Sequence, residues 1–271
     1  PAQGTMTYTP ADQLKTVTKS GTTYQYKYGG RGNNELVYQT TPNGTYQYAY
    51  GRDDQQGNPV LEQVARNNTA ASVISDPVTG QPLLLQTASG LQALVAYDGK
   101  PGSPVAILTS NAAVAWAADY NPFGVATITN TNDAEITNTN PYTFANGIAD
   151  RTTGWIHYAA RYYDPTTGTW TQQDPVDAPL DPNNANRYAY AGNDPINNTD
   201  PTGLSCAGQI SGLIFSTIGF GVSLAGLIIS GAGEVPTGGL ATAPLVLSAF
   251  GYISSAYGIV ASVGGVIQEC R

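Results

Sequence analysis

Residues 22–30 and 44–52 alternate tyrosine with polar or small residues, TTYQYKYGG and then GTYQYAYGR, so that Tyr24, Tyr26 and Tyr28 recur as Tyr46, Tyr48 and Tyr50 after 22 residues. A strict period of two sends every second side chain to one face of a pleated strand, which predicts β-strands whose rings share a face. Recurrence at a fixed spacing predicts repeated units. Turn formers punctuate the region at Gly29-Gly30, Pro42-Asn43-Gly44, Asp98-Gly99 and Asn146-Gly147, residues whose backbone preferences suit tight reversals. Strand-turn-strand units are therefore expected through most of residues 1–204. The ring stripe reads as packing rather than as a sugar-binding surface, each cross-strand aromatic pair adding roughly 0.2–1 kcal/mol.

The pattern changes after Leu204. Residues 207–233 and 243–268 are uncharged apolar runs rich in Gly, Ala, Ser, Ile and Val, each longer than the ~20 residues with which a helix crosses a bilayer core. Between them, Glu234-Val235-Pro236-Thr237-Gly238-Gly239 suits a reversal. The fold class read from this pattern is mainly β, followed by an apolar α-helical hairpin. Three settings for the tail stay open: a membrane-inserted hairpin, a buried hairpin of a soluble domain, or glycine-rich strands packed inside a shell or an assembly. Small residues four apart, as at Gly208/Gly212/Ser216 and Gly251/Ser255, let helices approach closely in lipid. Cys206 and Cys270 bracket the tail, and a hairpin would bring them together. A disulfide there would close a loop of about 60 residues and contribute ~4 kcal/mol on the chain-entropy estimate. Such a pair suits an oxidising, extracytoplasmic setting.

Charge narrows the function classes. The 271 residues carry 11 Lys+Arg against 19 Asp+Glu, a formal net charge of -8, and nucleic-acid binding needs clustered cations that this chain lacks. Arg187 is the last cation before Arg271, and Glu234 and Glu269 are the only acids after Asp200, so a domain boundary is expected near Leu204–Ser205. Pro1-Ala2-Gln3-Gly4-Thr5 has neither the charged start nor the apolar core of a secretory leader, as expected for a mature fragment or a cut longer protein. The single His157 has no companion at ligand spacing, so it reads as a strand residue and no metal is expected. No phosphate-binding loop, dinucleotide fingerprint or nucleophile elbow occurs. Neither a cofactor nor a turnover activity is expected.

Residues 144–204 hold the most specific strings. They run Phe144-Ala145-Asn146-Gly147, Thr153-Gly154-Trp155-Ile156-His157-Tyr158-Ala159-Ala160-Arg161-Tyr162-Tyr163-Asp164-Pro165, Gln173-Asp174-Pro175, Asn186-Arg187-Tyr188-Ala189-Tyr190-Ala191-Gly192-Asn193-Asp194-Pro195 and Asp200-Pro201-Thr202-Gly203-Leu204. With the upstream tyrosine repeats and Tyr120-Asn121-Pro122-Phe123-Gly124, the chain closely resembles, over about residues 1–204, the C-terminal part of rearrangement-hotspot (RHS) and YD-repeat proteins. The resemblance implies a β-strip spiral forming part of a hollow shell over 1–143, a core-associated plug over 144–204, and a variable domain, frequently a toxin, over 205–271. It also implies secretion or a cell-surface location.

In many members of that family the chain is cut just after an Asp-Pro-x-Gly-Leu motif, which places the implied scissile bond at Leu204–Ser205. Asp174 and Asp200 match the family's two motif aspartates, and Arg161 matches the arginine beside the site. Two carboxyls held close cannot both ionise cheaply, so the pair can keep one proton and activate water. An arginine beside them could orient a carboxylate or stabilise an oxyanion. Asp177 stands where the pattern often has Gly, and the stretch to Asp200 is a few residues longer than usual. The aspartates at 164, 174, 194 and 200 can also be read as turn formers. The partners implied are the rest of a longer shell or copies of this chain, a target or host membrane, and an immunity protein. The other reading is a cell-surface structural or adhesive YD-repeat protein whose hairpin anchors it or drives assembly, without catalysis.

Overall fold

The computed structural model describes residues 4–55, 57–99, 102–174 and 186–204. Asp177, Ser205, Cys206, Cys270 and the anticipated helical hairpin of 205–271 lie outside them. Chain contacts divide the protein into Pro1–Ala207 and Gly208–Arg271, and the fold that follows is that of the first unit.

Its larger part is an antiparallel meander. Strands β1 (Thr5–Tyr8), β2 (Leu14–Lys19), β3 (Thr22–Gly29), β4 (Glu35–Thr41), β5 (Gly44–Asp53), β6 (Pro59–Arg66), β7 (Thr69–Ser75), β8 (Pro82–Thr87), β9 (Gln92–Tyr97), β10 (Pro104–Thr109), β11 (Val114–Tyr120) and β12 (Ala126–Asn130) pair in chain order as one 12-stranded sheet. Two of the tightest reversals are Ser20-Gly21, with φ of 50° and 79°, and Asn67-Asn68, with φ of 48° and 69°. Paired positive φ values match the twist of the flanking strands. The predicted alternation holds: Tyr26, Tyr46 and Tyr48 are buried, while Gln25, Lys27, Gln47 and Ala49 are exposed. Across the strands Gln39 lies between Tyr26 and Tyr46 in register, and its side-chain amide donates to the Tyr48 hydroxyl at 2.7 Å.

The repeat has a second layer that ties each hairpin shut. Tyr28 Oη donates to Leu14 O at 2.8 Å, Tyr50 to Leu36 O at 3.3 Å, Tyr97 to Pro82 O at 2.5 Å and Tyr120 to Pro104 O at 3.0 Å. In each case a tyrosine near the end of one strand reaches the first or second residue of the strand before it, across the open end of the hairpin. The β6–β7 hairpin has no tyrosine, and there Arg52 donates to Ser75 O, Asp76 O and Pro77 O at 3.2, 3.0 and 3.1 Å. The link after each of the last four hairpins is turned by a side-chain oxygen. Asp54 Oδ1 accepts from Asn58 N, Asp76 Oδ1 from Val78 N and Thr79 N, Asp98 Oδ1 from Gly102 N and Ser103 N, and Asn121 Oδ1 from Phe123 N and Val125 N. These four residues stand 22, 22 and 23 positions apart, and short Asp and Asn side chains are the ones able to imitate a turn in this way.

After β12, helix α1 (Ala134–Thr139) begins at Asp133, whose carboxylate accepts from Ile136 N at 2.9 Å. It lies against β6, β8 and β11 and buries Ile136. A second antiparallel sheet follows, β13 (Ile148–Ala149), β14 (Ile156–Tyr158), β15 (Arg161–Asp164) and β16 (Thr169–Trp170). It shares a core with the meander, because Tyr142, Ile148, Trp155 and Tyr162 join the cluster that holds Tyr26, Leu36 and Tyr46. Tyr26 Oη donates to both oxygens of buried Asp150 at 2.9 and 3.1 Å. His157 is the β14 residue the sequence predicts, its ring 4.8 Å from that of Tyr162 and 5.8 Å from that of Tyr28. Burial pushes its imidazole down to about 3, so it is neutral there. The other face of the small sheet builds a second cluster from Phe144, Tyr158, Tyr163, Trp170 and Tyr190. Gly124 closes it: with φ of +86°, an added Cβ would stand 2.4 Å from the Phe144 ring.

Candidate functional site

The β14–β15 hairpin turns through Ala159-Ala160, which sets Arg161 opposite Tyr158 at the first position of β15. Pleating then sends Tyr162 toward the meander and Arg161 with Tyr163 toward the second aromatic cluster. The Arg161 guanidinium carbon lies 4.2 Å from the centroid of the Trp170 ring, and only 3% of the side chain is exposed. A cation placed on an indole face, out of water, needs further partners. It has three: Nη2 donates to Asp174 Oδ2 at 2.8 Å and to Asp200 Oδ2 at 3.3 Å, and Nε donates to Gly203 O. Burial lowers the guanidinium from its usual value, while the charges of Asp174 and then Asp200 act against that fall.

Asp200 begins a turn, Asp200-Pro201-Thr202-Gly203, closed by Gly203 N donating to Asp200 O at 3.3 Å. Asp, Pro and Gly hold the first, second and fourth places that such turns favour. The carboxylate then works in two directions. Oδ1 accepts from Thr202 Oγ1 and Leu204 N, each at 3.2 Å, while Oδ2 takes Arg161. The turn lies along the hairpin, with Ala160 N donating to Thr202 O at 3.2 Å. Gly203 is required twice over: its φ is +67°, and a Cβ would come within 2.6 Å of Tyr158 O and 3.1 Å of Arg161 N. The Gly203–Leu204 peptide group is thereby held at its oxygen by Arg161 and at its nitrogen by Asp200.

Asp174 arrives from the end of β16. Its N–H donates to Arg187 O at 2.9 Å, and its carbonyl accepts from Arg187 Nε at 2.9 Å and from Arg187 Nη2 at 2.5 Å. Thus Arg161, Asp174, Asp200 and Leu204 converge, whereas Ser205, Cys206 and Cys270 lie outside the described residues. Asp164 and Asp194 shape turns, accepting from Thr166 N at 2.9 Å and from Asn197 N at 3.3 Å. Sequence reasoning assigned no role to Trp170 or Arg187. The signal for Arg187 was its rarity, a cation in a stretch that otherwise has none before Arg271. Among the described residues no group of His, Cys, Asp and Glu is placed to hold a metal ion, and no helix is long and apolar enough to cross a membrane.

The Teneurin YD-shell family matches residues 13–196. The chain is 32% identical over 208 residues to the tRNA3(Ser)-specific nuclease WapA of Bacillus spizizenii, covering 74% of this chain and 8% of that protein. It is 35% identical over 104 residues to Double-stranded DNA deaminase toxin A of Burkholderia cenocepacia, covering 38% of this chain and 7% of that protein. The crystal structure of TcdB2-TccC3-Cdc42 aligns with a TM-score of 0.54 at 19% identity, over 75% of this chain and 10% of that one, a likeness of fold. The chain thus spans 8% and 7% of the lengths of the two curated relatives. The large antiparallel sheet, the ordered motifs and these matches agree that the chain belongs to the Teneurin YD-shell family, as an RHS/YD-repeat protein related to toxins.

Proposed function

We propose that this chain is the C-terminal part of a secreted RHS-type polymorphic toxin, in which the meander is a segment of shell and residues 144–204 a plug that cuts the chain at Leu204–Ser205. The single observation that carries the reading is the convergence of Asp174 and Asp200 on Arg161, with Gly203 and Leu204 held by the same groups. In the reaction, water adds to the Leu204 carbonyl carbon. One aspartate takes a proton from that water, and the other, protonated, gives its proton to the Ser205 nitrogen as the C–N bond breaks. Arg161 offsets the charge that develops on the carbonyl oxygen. The products are a Leu204 carboxylate and a free Ser205 amine. This is one intramolecular event, not turnover.

The released piece, 205–271, is an apolar effector that inserts into a target membrane, closed by a Cys206–Cys270 disulfide. The two relatives are named for action on tRNA and DNA, whereas the two uncharged apolar runs in the tail of this chain point to lipid. Intact mass of the wild type beside Asp174→Asn and Asp200→Asn tests the proposal. The wild type should yield a fragment ending at Leu204, both variants should stay whole, and dye-loaded vesicles should leak only with the wild type. An uncut wild type with intact vesicles favours the second reading, a cell-surface structural or adhesive protein. That reading draws on the teneurin name of the matched family and on an arginine that bonds to both aspartates, as a purely structural clamp would.

A further inference from the structure

The hydrogen bonds of the Arg161 guanidinium all leave from two adjacent nitrogens. Nε donates to Gly203 O, and Nη2 donates to Asp174 Oδ2 at 2.8 Å and to Asp200 Oδ2 at 3.3 Å. The remaining nitrogen, Nη1, is buried and has no hydrogen-bond partner among the described residues. Bonds on one side of a planar fork fix where that side lies, yet they leave the plane free to tilt about the line joining Nε and Nη2. What covers the plane is the Trp170 ring, its centroid 4.2 Å from the guanidinium carbon. That ring is itself fixed. Trp170 is 2% exposed, its N–H donates to Tyr188 O at 2.9 Å, and the indole stands edge-on to Tyr158, Tyr163 and Tyr190 at centroid distances of 5.8, 6.0 and 5.3 Å.

Resting on the self-cleavage reading above, we propose that Trp170 is a positioning residue for the cut: its indole face sets the tilt of the Arg161 guanidinium and so keeps Nη2 on both aspartates. An aromatic face carries the negative side of the ring quadrupole, so a cation above it is attracted as well as packed. The attraction strengthens where water is excluded, as it is at Arg161, 3% exposed. Tilting the plane turns the Nη2 hydrogens away from their acceptors, and hydrogen bonds weaken steeply with such bending. The Asp200 bond, at 3.3 Å the longer of the two, has the least to spare. Tryptophan offers a cation the strongest face of the aromatic residues, phenylalanine a weaker one and leucine none. The ring thus acts on the reaction through Arg161.

The test follows the cleavage rate of the full chain by mass during cell-free synthesis, with tryptophan at position 170 or a tryptophan bearing one, two or three ring fluorines. Fluorine withdraws charge from the ring face and nearly keeps its shape. The strength of a buried cation–ring contact corresponds to about tenfold in rate, so three fluorines should slow cleavage by about that factor, and the logarithm of the rate should fall in even steps with each fluorine. The same analogues at Trp155, whose ring leans on that of Tyr162, should leave the rate unchanged. Displacing a reacting group by about 1 Å costs on the order of 100-fold in rate, and Trp170→Leu should approach that loss. Trp170→Phe should recover to within about tenfold of wild type. Near-ultraviolet circular dichroism reports whether these two variants keep the aromatic core, and where one does not fold the fluorine series decides alone. A wild type that cuts while all three fluorinated chains cut equally fast, or slowing of the same size at Trp155 and Trp170, overturns the positioning role and leaves the self-cleavage reading standing. An uncut wild type overturns that reading and this role together.

Discussion

The meander and the region proposed above as the plug are built from the same residue, tyrosine, and differ in what it does most. In the meander the hydroxyl matters as much as the ring: Tyr28, Tyr50, Tyr97 and Tyr120 each tie a hairpin shut through a backbone carbonyl, and the unit then repeats. In the plug the rings lean on one another, Tyr163 and Tyr190 with centroids 4.1 Å apart and Trp170 edge-on to both. Among the described residues the 22-residue unit does not recur there, and the meeting of Arg161 with two aspartates is found once. Repetition supplies a wall; an arrangement found once supplies a place where chemistry can be held.

Ion pairs sharpen the contrast. On the meander Arg31 meets Asp53 at 3.4 Å with side chains 90% and 39% exposed, and such surface pairs contribute little. In the plug Arg161 serves two aspartates, and Asp200 is buried with it. Replacing Arg161 by methionine keeps much of the volume and leaves Asp200 buried without its cation, which should cost about 3–5 kcal/mol. Arg31→Met should leave the denaturation midpoint unmoved. Urea unfolding of both variants, followed by tryptophan fluorescence, measures the difference. Equal midpoints would mean that the plug does not depend on its triad.

How much of this was legible in the sequence follows the same division. The tyrosine stripe was visible because β3 and β5 are long enough to display a period of two. The clamps were not, since a backbone carbonyl such as Leu14 O or Leu36 O carries no mark in the sequence. Of the turn oxygens, Asp98 stood in a marked turn, Asp98-Gly99, and Asn121 in a quoted motif, but their spacing to Asp54 and Asp76 was hidden by mixed settings, Asp-Asp, Ser-Asp, Tyr-Asp and Tyr-Asn. In the plug, strands such as β13 and β16 have two residues each, too few for any period. There the order of motifs did the work, marking Arg161, Asp174, Asp200 and Gly203. It could not say that Arg161 reaches both aspartates through one nitrogen, nor that Gly203 is needed for closeness as well as for its φ.

The seam between the two regions should respond to acid. His157 stays neutral in the folded protein down to about 3, against an ordinary value of 6.5, because burial disfavours its charged form. An unfolded chain takes up that proton near 6.5, so His157 contributes its full share to stability above that pH and loses it progressively as pH falls from 6.5 toward 3. At pH 4 the loss amounts to about 3 kcal/mol. His157→Phe keeps a ring between Tyr28 and Tyr162 and cannot titrate. The difference in stability between variant and wild type should shift in favour of the variant by that amount between pH 7 and pH 4. A constant difference would show that the seam admits water enough to charge the imidazole in place.

The smallest effect separates the regions most cleanly. Tyr50→Phe and Tyr97→Phe each delete one hydroxyl and leave one carbonyl, Leu36 O or Pro82 O, without that donor. A hydrogen bond of this kind contributes about 1 kcal/mol. The two clamps close different hairpins, β4–β5 and β8–β9, and touch different partners, so the double variant should lose the sum of the single losses to within about 0.5 kcal/mol. Tyr163→Phe in the plug removes the bond from its hydroxyl to Phe123 O, 2.8 Å long, inside a cluster where Phe144, Trp170 and Tyr190 all lean on its ring. Combined with Tyr190→Phe it should depart from additivity, because neighbouring rings readjust together. Additivity in the wall and coupling in the plug, read from equilibrium unfolding of the six variants and the wild type, would give the contrast an energetic measure; coupling of equal size in both would dissolve it.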